Sequence, residues 1–171
     1  MLRRTGPEFR VFGWHTAAVG SIVVRSARPG DVPRLVELLE LGALVDGKED
    51  ATARPSYATA LEEIRSTSGC DVLVAETDGE VVGTCQLIVF RHIQAQGGRC
   101  AEIESMHVHP EHRGRGVGSQ LLAAAVDGAR AAGCYRVQLT SNRQRQDAHR
   151  FYEREGFTPS HVGFKLLLGP T

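Results

Sequence analysis

This 171-residue chain lacks most of the features that announce a function class. It carries no net charge, with 20 basic and 20 acidic residues, and the basic ones are dispersed. That removes the electrostatic footprint of a general nucleic-acid binder and favours a small-molecule partner. Its four cysteines, Cys70, Cys85, Cys100 and Cys134, are widely spaced and contain no Cys-x-x-Cys pair. They call for no metal and read as reduced structural thiols of a cytoplasmic protein. No apolar run approaches the roughly 20 residues of a membrane span. Arg3 and Arg4 precede a modestly apolar stretch, 16–24, that is too polar and too short for a secretory signal. Repeats and low-complexity tracts are absent. With 42% apolar and 23% charged residues, the composition fits one globular domain over 21–171, preceded by a loosely ordered extension over 1–20.

Two phosphate-binding signatures are also missing. The Gly-Lys-Ser/Thr ending of a Walker A loop does not occur, and no Gly-x-Gly-x-x-Gly follows an early strand with an acidic residue about 20 positions on. What is there is Arg113-Gly114-Arg115-Gly116-Val117-Gly118, set between an extended stretch and an amphipathic helical one. The first turn of a helix presents backbone N–H groups without intrahelical partners, reinforced by the helix dipole. Glycines at 114, 116 and 118 remove Cβ atoms that would keep a phosphate from those amides, and Arg113 and Arg115 add charge. A diphosphate held mainly by main chain, including the amides of Val117 and Ser119, is the expectation.

Around this segment the pattern predicts a strand over 21–25, a helix capped by Asp31 and ending near Leu41, and a helix over 56–65. Strands over 71–77 and 81–90 should form a hairpin at Asp78-Gly79. A strand over 101–109 follows, then a helix from Val117 with Gly133 beyond its end, a strand over 135–141 and a helix over 147–155. Two final strands are expected within 157–168, bent around Pro159 to Gly163. The step from strand 101 to strand 135 needs a parallel crossover. The fold class is therefore α/β, or α+β by stricter accounting, with a mixed central sheet covered by helices on both faces.

Three segments together resemble the GNAT superfamily of N-acetyltransferases. Arg113-x-x-Gly116-x-Gly118 matches that family's Gln/Arg-x-x-Gly-x-Gly/Ala pattern at the head of the helix after strand four. The preceding segment 101–114, Ala-Glu-Ile-Glu-Ser-Met-His-Val-His-Pro-Glu-His-Arg-Gly, and the later Asn142 with Ala148-x-x-Phe151-Tyr152-x-x-x-Gly156-Phe157 resemble it in order and spacing. The likeness runs from about Ser21 to Leu168. It implies acetyl-CoA as co-substrate, direct attack by an amine on the thioester, and a gap between strands four and five that admits the pantetheine arm.

The implied chemistry needs a base, an oxyanion donor and an acid. An alkyl ammonium has a pKa near 10.4, so roughly one molecule in a thousand is neutral at pH 7 and a base speeds reaction. Glu102 and Glu104 stand two apart on one strand, so they share a face and raise each other's pKa. Glu102 aligns with the base of some relatives and Glu104 with a glutamate common in others; spacing does not choose between them, and Glu102 is the favoured base. His107 is a third candidate by its ordinary pKa. The resemblance implies cofactor contacts along Met106, His107 and Val108, with a backbone N–H near Met106 or Val108 facing the oxyanion. It makes Tyr152 the acid for the departing thiolate and Asn142 a partner of the pantetheine amides, although Asn142 also suits an ordinary strand-ending turn. The acceptor is expected to be a small-molecule amine, with a protein or peptide acceptor, or an acyl-CoA-binding regulatory domain without turnover, as alternatives. Loops 42–55 and 92–99 and the final hairpin should set acceptor choice. The family's habits also allow a homodimer.

Overall fold

A computed structural model describes residues 22–44 and 49–169. The expected extension over 1–20, Ser21 and part of the 42–55 loop lie outside the described residues.

β1 (Ile22–Ser26) buries Ile22 and Val24 at the strand period of two. In α1 (Val32–Gly42), Pro33 occupies the first turn, where its missing N–H would have had no helical partner. Val32, Leu35, Val36 and Leu38 bury one face. Asp31 stands at the N-cap position as expected, yet its carboxylate bonds no first-turn amide. It accepts instead from Arg25 Nη1 and Nη2 at 2.7 and 3.0 Å and from the Arg28 amide at 2.7 Å. A guanidinium fork offers two charge-assisted bonds, which outweigh one neutral cap. α2 (Arg54–Ser66) begins two residues before the expected start, because Pro55 fits the first turn rather than preceding it.

β2 (Cys70–Thr77) and β3 (Glu80–Arg91) form the expected hairpin. Asp78 and Gly79 have φ of 51° and 80°, the left-handed pair of a two-residue type I′ turn. β4 (Arg99–Val108), α3 (Val117–Ala131), β5 (Cys134–Leu139) and α4 (Gln146–Arg154) complete the regular elements. Among the described residues the sheet order is β1-β2-β3-β4-β5, antiparallel except for the parallel pair β4 and β5. α3 is the crossover that this parallel pair requires.

Helices cover both faces. α1 and α2 pack Val36, Leu38 and Leu61 over Val74 and Val81. On the opposite face α3 sets Val117, Leu121, Leu122, Ala125 and Ala129 on Leu73, Ala75, Cys85, Leu87, Ala101 and Ile103. Phe151 and Tyr152 of α4 extend that second core. Each fully buried Leu or Val contributes about 1.5–3 kcal/mol of transfer free energy, so the two layers together hold the sheet rigid between them. The four cysteines are free thiols. None of the described helices is long and apolar enough to cross a membrane.

The two strands expected within 157–168 do not form. This segment joins no ladder; Phe157 packs against the second core, while the large apolar side chains from Val162 onward are exposed. None of the described strands takes up its backbone groups.

Candidate active site

The fold brings the expected site residues to the place where β4 leaves β5. The parallel ladder ends at Ile103 opposite Leu139. Beyond it β4 continues along β3 alone, with Glu104 opposite Gln86 and His107 opposite Thr84. The register shift between those pairs is a bulge at Ser105, whose φ is 50°. Bulges bend the strand that carries them, so the separation of β4 from β5 follows from local backbone geometry. The expected gap is present.

Glu102 and Glu104 lie on the sheet face covered by α1 and α2, opposite the core-facing Ala101 and Ile103. Glu102 is held by Gln138 Nε2, which donates to its Oε2 at 3.2 Å from the adjacent position on β5. Burial pushes the Glu104 carboxyl above the ordinary carboxylate range, and the charge of Glu102 pushes it further. The Ser105 amide and Lys165 oppose that rise. The surroundings of Glu104 thus favour holding a proton.

At the other side of the gap, Gly114 and Gly116 have φ of 73° and 83°. A Cβ built on either meets nothing within 4 Å, so the cradle in front of α3 is open. Gln120 donates to Gly116 O as the first intrahelical bond, at 3.0 Å. The amides of Val117, Gly118 and Ser119 precede it and have no backbone acceptor among the described residues. The Val117 side chain is buried in the core. Gly118 differs from the other two glycines. Its Cβ would lie 3.3 Å from Phe151 Cζ, so its small size serves the packing of α3 on α4. Arg113 Nε donates to Val108 O at 3.0 Å, which pins the loop back onto β4, while Arg115 is exposed. Ser119 Oγ donates to Glu155 Oε1 at 2.6 Å.

Tyr152 sits against the core beside Phe151 and Phe157, at ring separations of 5.2 and 6.0 Å. Burial, with the charges of Cys85 and Glu104, pushes its hydroxyl up to about 12, and Arg145 opposes the rise. A phenol in that state keeps its proton until a strong base takes it. Asn142 is drawn into the turn before α4: its Oδ1 accepts from the Gln144 amide at 2.9 Å, and its carbonyl accepts from the Arg145 amide at 2.9 Å. His149 Nε2 stands 3.0 Å from that carbonyl. Met106 lies against α3 and α4, its Cε 3.7 Å from where a Gly118 Cβ would be.

Several participants carry no sequence signal. A Cβ on Gly42 would fall 1.8 Å from His107 Nδ1, so the end of α1 closes directly over His107. Arg145 Nη2 donates to Gly42 O at 2.5 Å, tying the turn after β5 to the same point. Next to Glu104, a cavity of about 120 Å³ opens between α1, α2 and the sheet. Val36, Leu39, Tyr57 and Ile64 are among its apolar walls, and Thr84, Gln86 and Ser105 are its polar end. No motif joins these residues, because they meet only through strand pairing and helix packing. Among the described residues no three His, Cys, Asp or Glu side chains converge on a point where a metal could sit.

Residues 36–157 match the acetyltransferase (GNAT) family. Over 95 residues the chain is 44% identical to an aminoalkylphosphonate N-acetyltransferase of Salmonella typhimurium, a match covering 56% of this chain and 61% of that enzyme, less than two thirds of its length. It is 29% identical over 136 residues to an L-amino acid N-acyltransferase of Escherichia coli, covering 78% of each chain. The crystal structure of a transcriptional regulator from Bacillus halodurans C-125 is similar at a TM-score of 0.82 and 36% identity, covering 86% of this chain and 99% of the other.

Proposed function

The chain belongs to the acetyltransferase (GNAT) family, and from that premise we propose that it transfers the acetyl group of acetyl-CoA to the primary amine of a small molecule by direct attack. The observation that carries this reading is the break in the β4–β5 ladder after Ile103, flanked by Glu104 on one side and Tyr152 with the glycine cradle on the other.

The residues present fit acetyl-CoA. The open front of Gly114 and Gly116 and the unbonded amides of Val117 to Ser119 suit a diphosphate, with Arg115 supplying charge. Once bound there, acetyl-CoA supplies an activated acetyl group as its thioester. Glu104 takes a proton from the incoming ammonium, and its raised pKa brings it nearer to working pH than an ordinary carboxylate. Glu102, fixed by Gln138, is the charge that maintains this rise. A backbone N–H of β4 near Met106 or Val108, where no β5 partner follows, faces the oxygen on which charge develops. As the C–N bond forms and the C–S bond breaks, Tyr152 gives its hydroxyl proton to the departing sulfur. The attacking nitrogen loses its second proton to solvent as the amide forms, and the proton held by Glu104 returns to Tyr152 through solvent, so ammonium and thioester become amide and thiol with one proton released. Asn142, with its Oδ1 engaged by Gln144, keeps its side-chain NH₂ for a pantetheine carbonyl.

The cavity beside Glu104 supports a small acceptor. Its volume of about 120 Å³ leaves room for a substituent of a few heavy atoms. Its walls are apolar, which favours an amine bearing a short apolar group over a polyhydroxylated or peptide acceptor. A panel of amino acids, aminoalkylphosphonates, polyamines, aminoglycosides and peptides, read by thiol release from acetyl-CoA, tests the reading. Turnover is expected with the small amines. Turnover with peptides alone, or with no amine, contradicts it.

A further inference from the structure

α4 starts with an arginine where its own electrostatics favour an acid. Its N-cap residue is Arg145, whose side chain caps no first-turn amide. A cation at a helix N-terminus is opposed by the dipole and by the unpaired N–H groups there. α1 shows the reverse mismatch. Its last turn holds no basic residue, although the carbonyls that end a helix favour a cation.

The two mismatches answer each other. Arg145 Nη2 donates to the carbonyl of Gly42, the last residue of α1, across 103 positions of sequence. Gly42 is buried and lies directly over His107, on the part of β4 that has left β5. At its backbone the same arginine is built into α4, because the His149 amide donates to Arg145 O at 3.1 Å as the helix begins. Tyr152 follows about two turns on, on the same face of α4, and helical side chains lean back toward the N-terminus. Burial, with the charges of Cys85 and Glu104, holds the Tyr152 proton on, and the charge of Arg145 opposes them.

We propose that Arg145 is a positioning residue for acyl transfer: it clamps the end of α1 to the start of α4 and so fixes the acceptor-facing wall of the site relative to Tyr152. α1 supplies that wall through Val32, Leu35, Val36 and Leu39 of the cavity beside Glu104. The clamp rests on the acyl-transfer reading above, in which the acceptor lies against α1 and Tyr152 protonates the departing sulfur. Arg145 acts through these elements and touches neither the amine nor the thioester. Such a clamp matters because misplacing a reacting group by about 1 Å can cost on the order of a hundredfold in rate. A guanidinium suits the task, since it stays charged throughout the working pH range and holds its donors in a rigid fork.

Hydrogen exchange and kinetics of Arg145 variants test the clamp together. In the free protein, Arg145→Ala should speed exchange of the amides that end α1, at 40–43. Arg145→Lys keeps a charged donor and should restore much of their protection. With an amine that the wild type acetylates, Arg145→Ala should raise the acceptor KM and lower kcat by about tenfold or more, the scale of one lost charge-assisted hydrogen bond. Coenzyme A affinity by calorimetry should stay unchanged, and Arg145→Lys should recover most of the rate. In a Tyr152→Phe background, Arg145→Ala should lower kcat far less than in the wild type, because the two residues act as one unit. Should Arg145→Ala fail to fold, Arg145→Met, which keeps the length and lacks the donor, gives the same comparisons. Wild-type kcat in the variant, a fully additive loss beside Tyr152→Phe, or coenzyme A affinity falling in step with kcat overturns the clamp while leaving acyl transfer standing. A wild type that acetylates no amine overturns the acyl-transfer reading and the clamp with it.

Discussion

Gly118 in the first turn of α3 lies directly against Phe151 of α4, with a Cβ on it reaching 3.3 Å from the ring. The helix that heads the cradle and the helix that carries Tyr152 thus meet without an intervening side chain, and Ser119 to Glu155 adds a hydrogen bond between them. On the proposed reading, phosphate grip and thiolate protonation share one rigid unit. Gly118→Val should force the helices apart, raising the KM for acetyl-CoA and lowering kcat together in steady-state kinetics. A change confined to one constant would uncouple the two helices.

Gly116→Val acts on the cradle alone. The position has φ of 83°, where a β-branched residue costs on the order of 1–2 kcal/mol. The new side chain also fills the open front of the cradle, so coenzyme A affinity by calorimetry should fall by about tenfold or more. Wild-type affinity in this variant would put the diphosphate elsewhere.

Tyr152→Phe removes the hydroxyl and keeps the ring packing on Phe151 and Phe157. Turnover should fall by roughly a hundredfold, the low end for a general acid, with coenzyme affinity unchanged. Equal turnover in the two proteins would remove Tyr152 from the chemistry.

The pH profile separates the two glutamates. Glu104 titrates above the ordinary carboxylate range through burial and the charge of Glu102. If it is the base, activity is lost as pH falls through that raised value. Glu102→Gln deletes one cause of the rise, so Glu104 should titrate lower and the acid limb should move to lower pH. Lys165→Ala deletes an opposing charge and should move the limb the other way. Glu104→Gln should abolish the limb along with most of the activity. A limb that stays in place in Glu104→Gln would transfer the role to Glu102 or His107.

Gly42→Ala tests the closure of α1 over His107. The new Cβ would fall 1.8 Å from His107 Nδ1, and overpacking of this kind typically costs about 1–3 kcal/mol. The Tm should drop, and His107→Ala in the same chain should recover part of the loss. Full stability in Gly42→Ala alone would mean that the His107 ring moves freely.

Where a residue's role depends on neighbours along the chain, the sequence reads well. Asp78-Gly79 names its turn because both residues tolerate left-handed angles, and α3 is legible from the spacing of Val117, Leu121, Leu122, Ala125 and Ala129. The open glycine turn before α3 is legible for the same reason, since its left-handed angles are a local property of Gly114 and Gly116. Ser105 is not, because a serine in the left-handed region gives no compositional warning, yet its bulge opens the gap. Gly42, Arg145 and Gln138 lie far along the chain from the residues they hold, and only pairing and packing bring them there. Asp31 shows the converse: a good cap by type was claimed by Arg25, a stronger partner brought in by the sheet. The two strands expected within 157–168 are absent because an alternating apolar pattern does not by itself supply a pairing partner, and no described strand pairs there.

The crystal structure of this protein soaked with acetyl-CoA tests the account most directly. The diphosphate is expected within hydrogen-bond distance of the Val117, Gly118 and Ser119 amides, with the thioester between Glu104 and the Tyr152 hydroxyl. Density for the diphosphate away from residues 113–119, or a thioester on the far side of the sheet from Glu104, would contradict it.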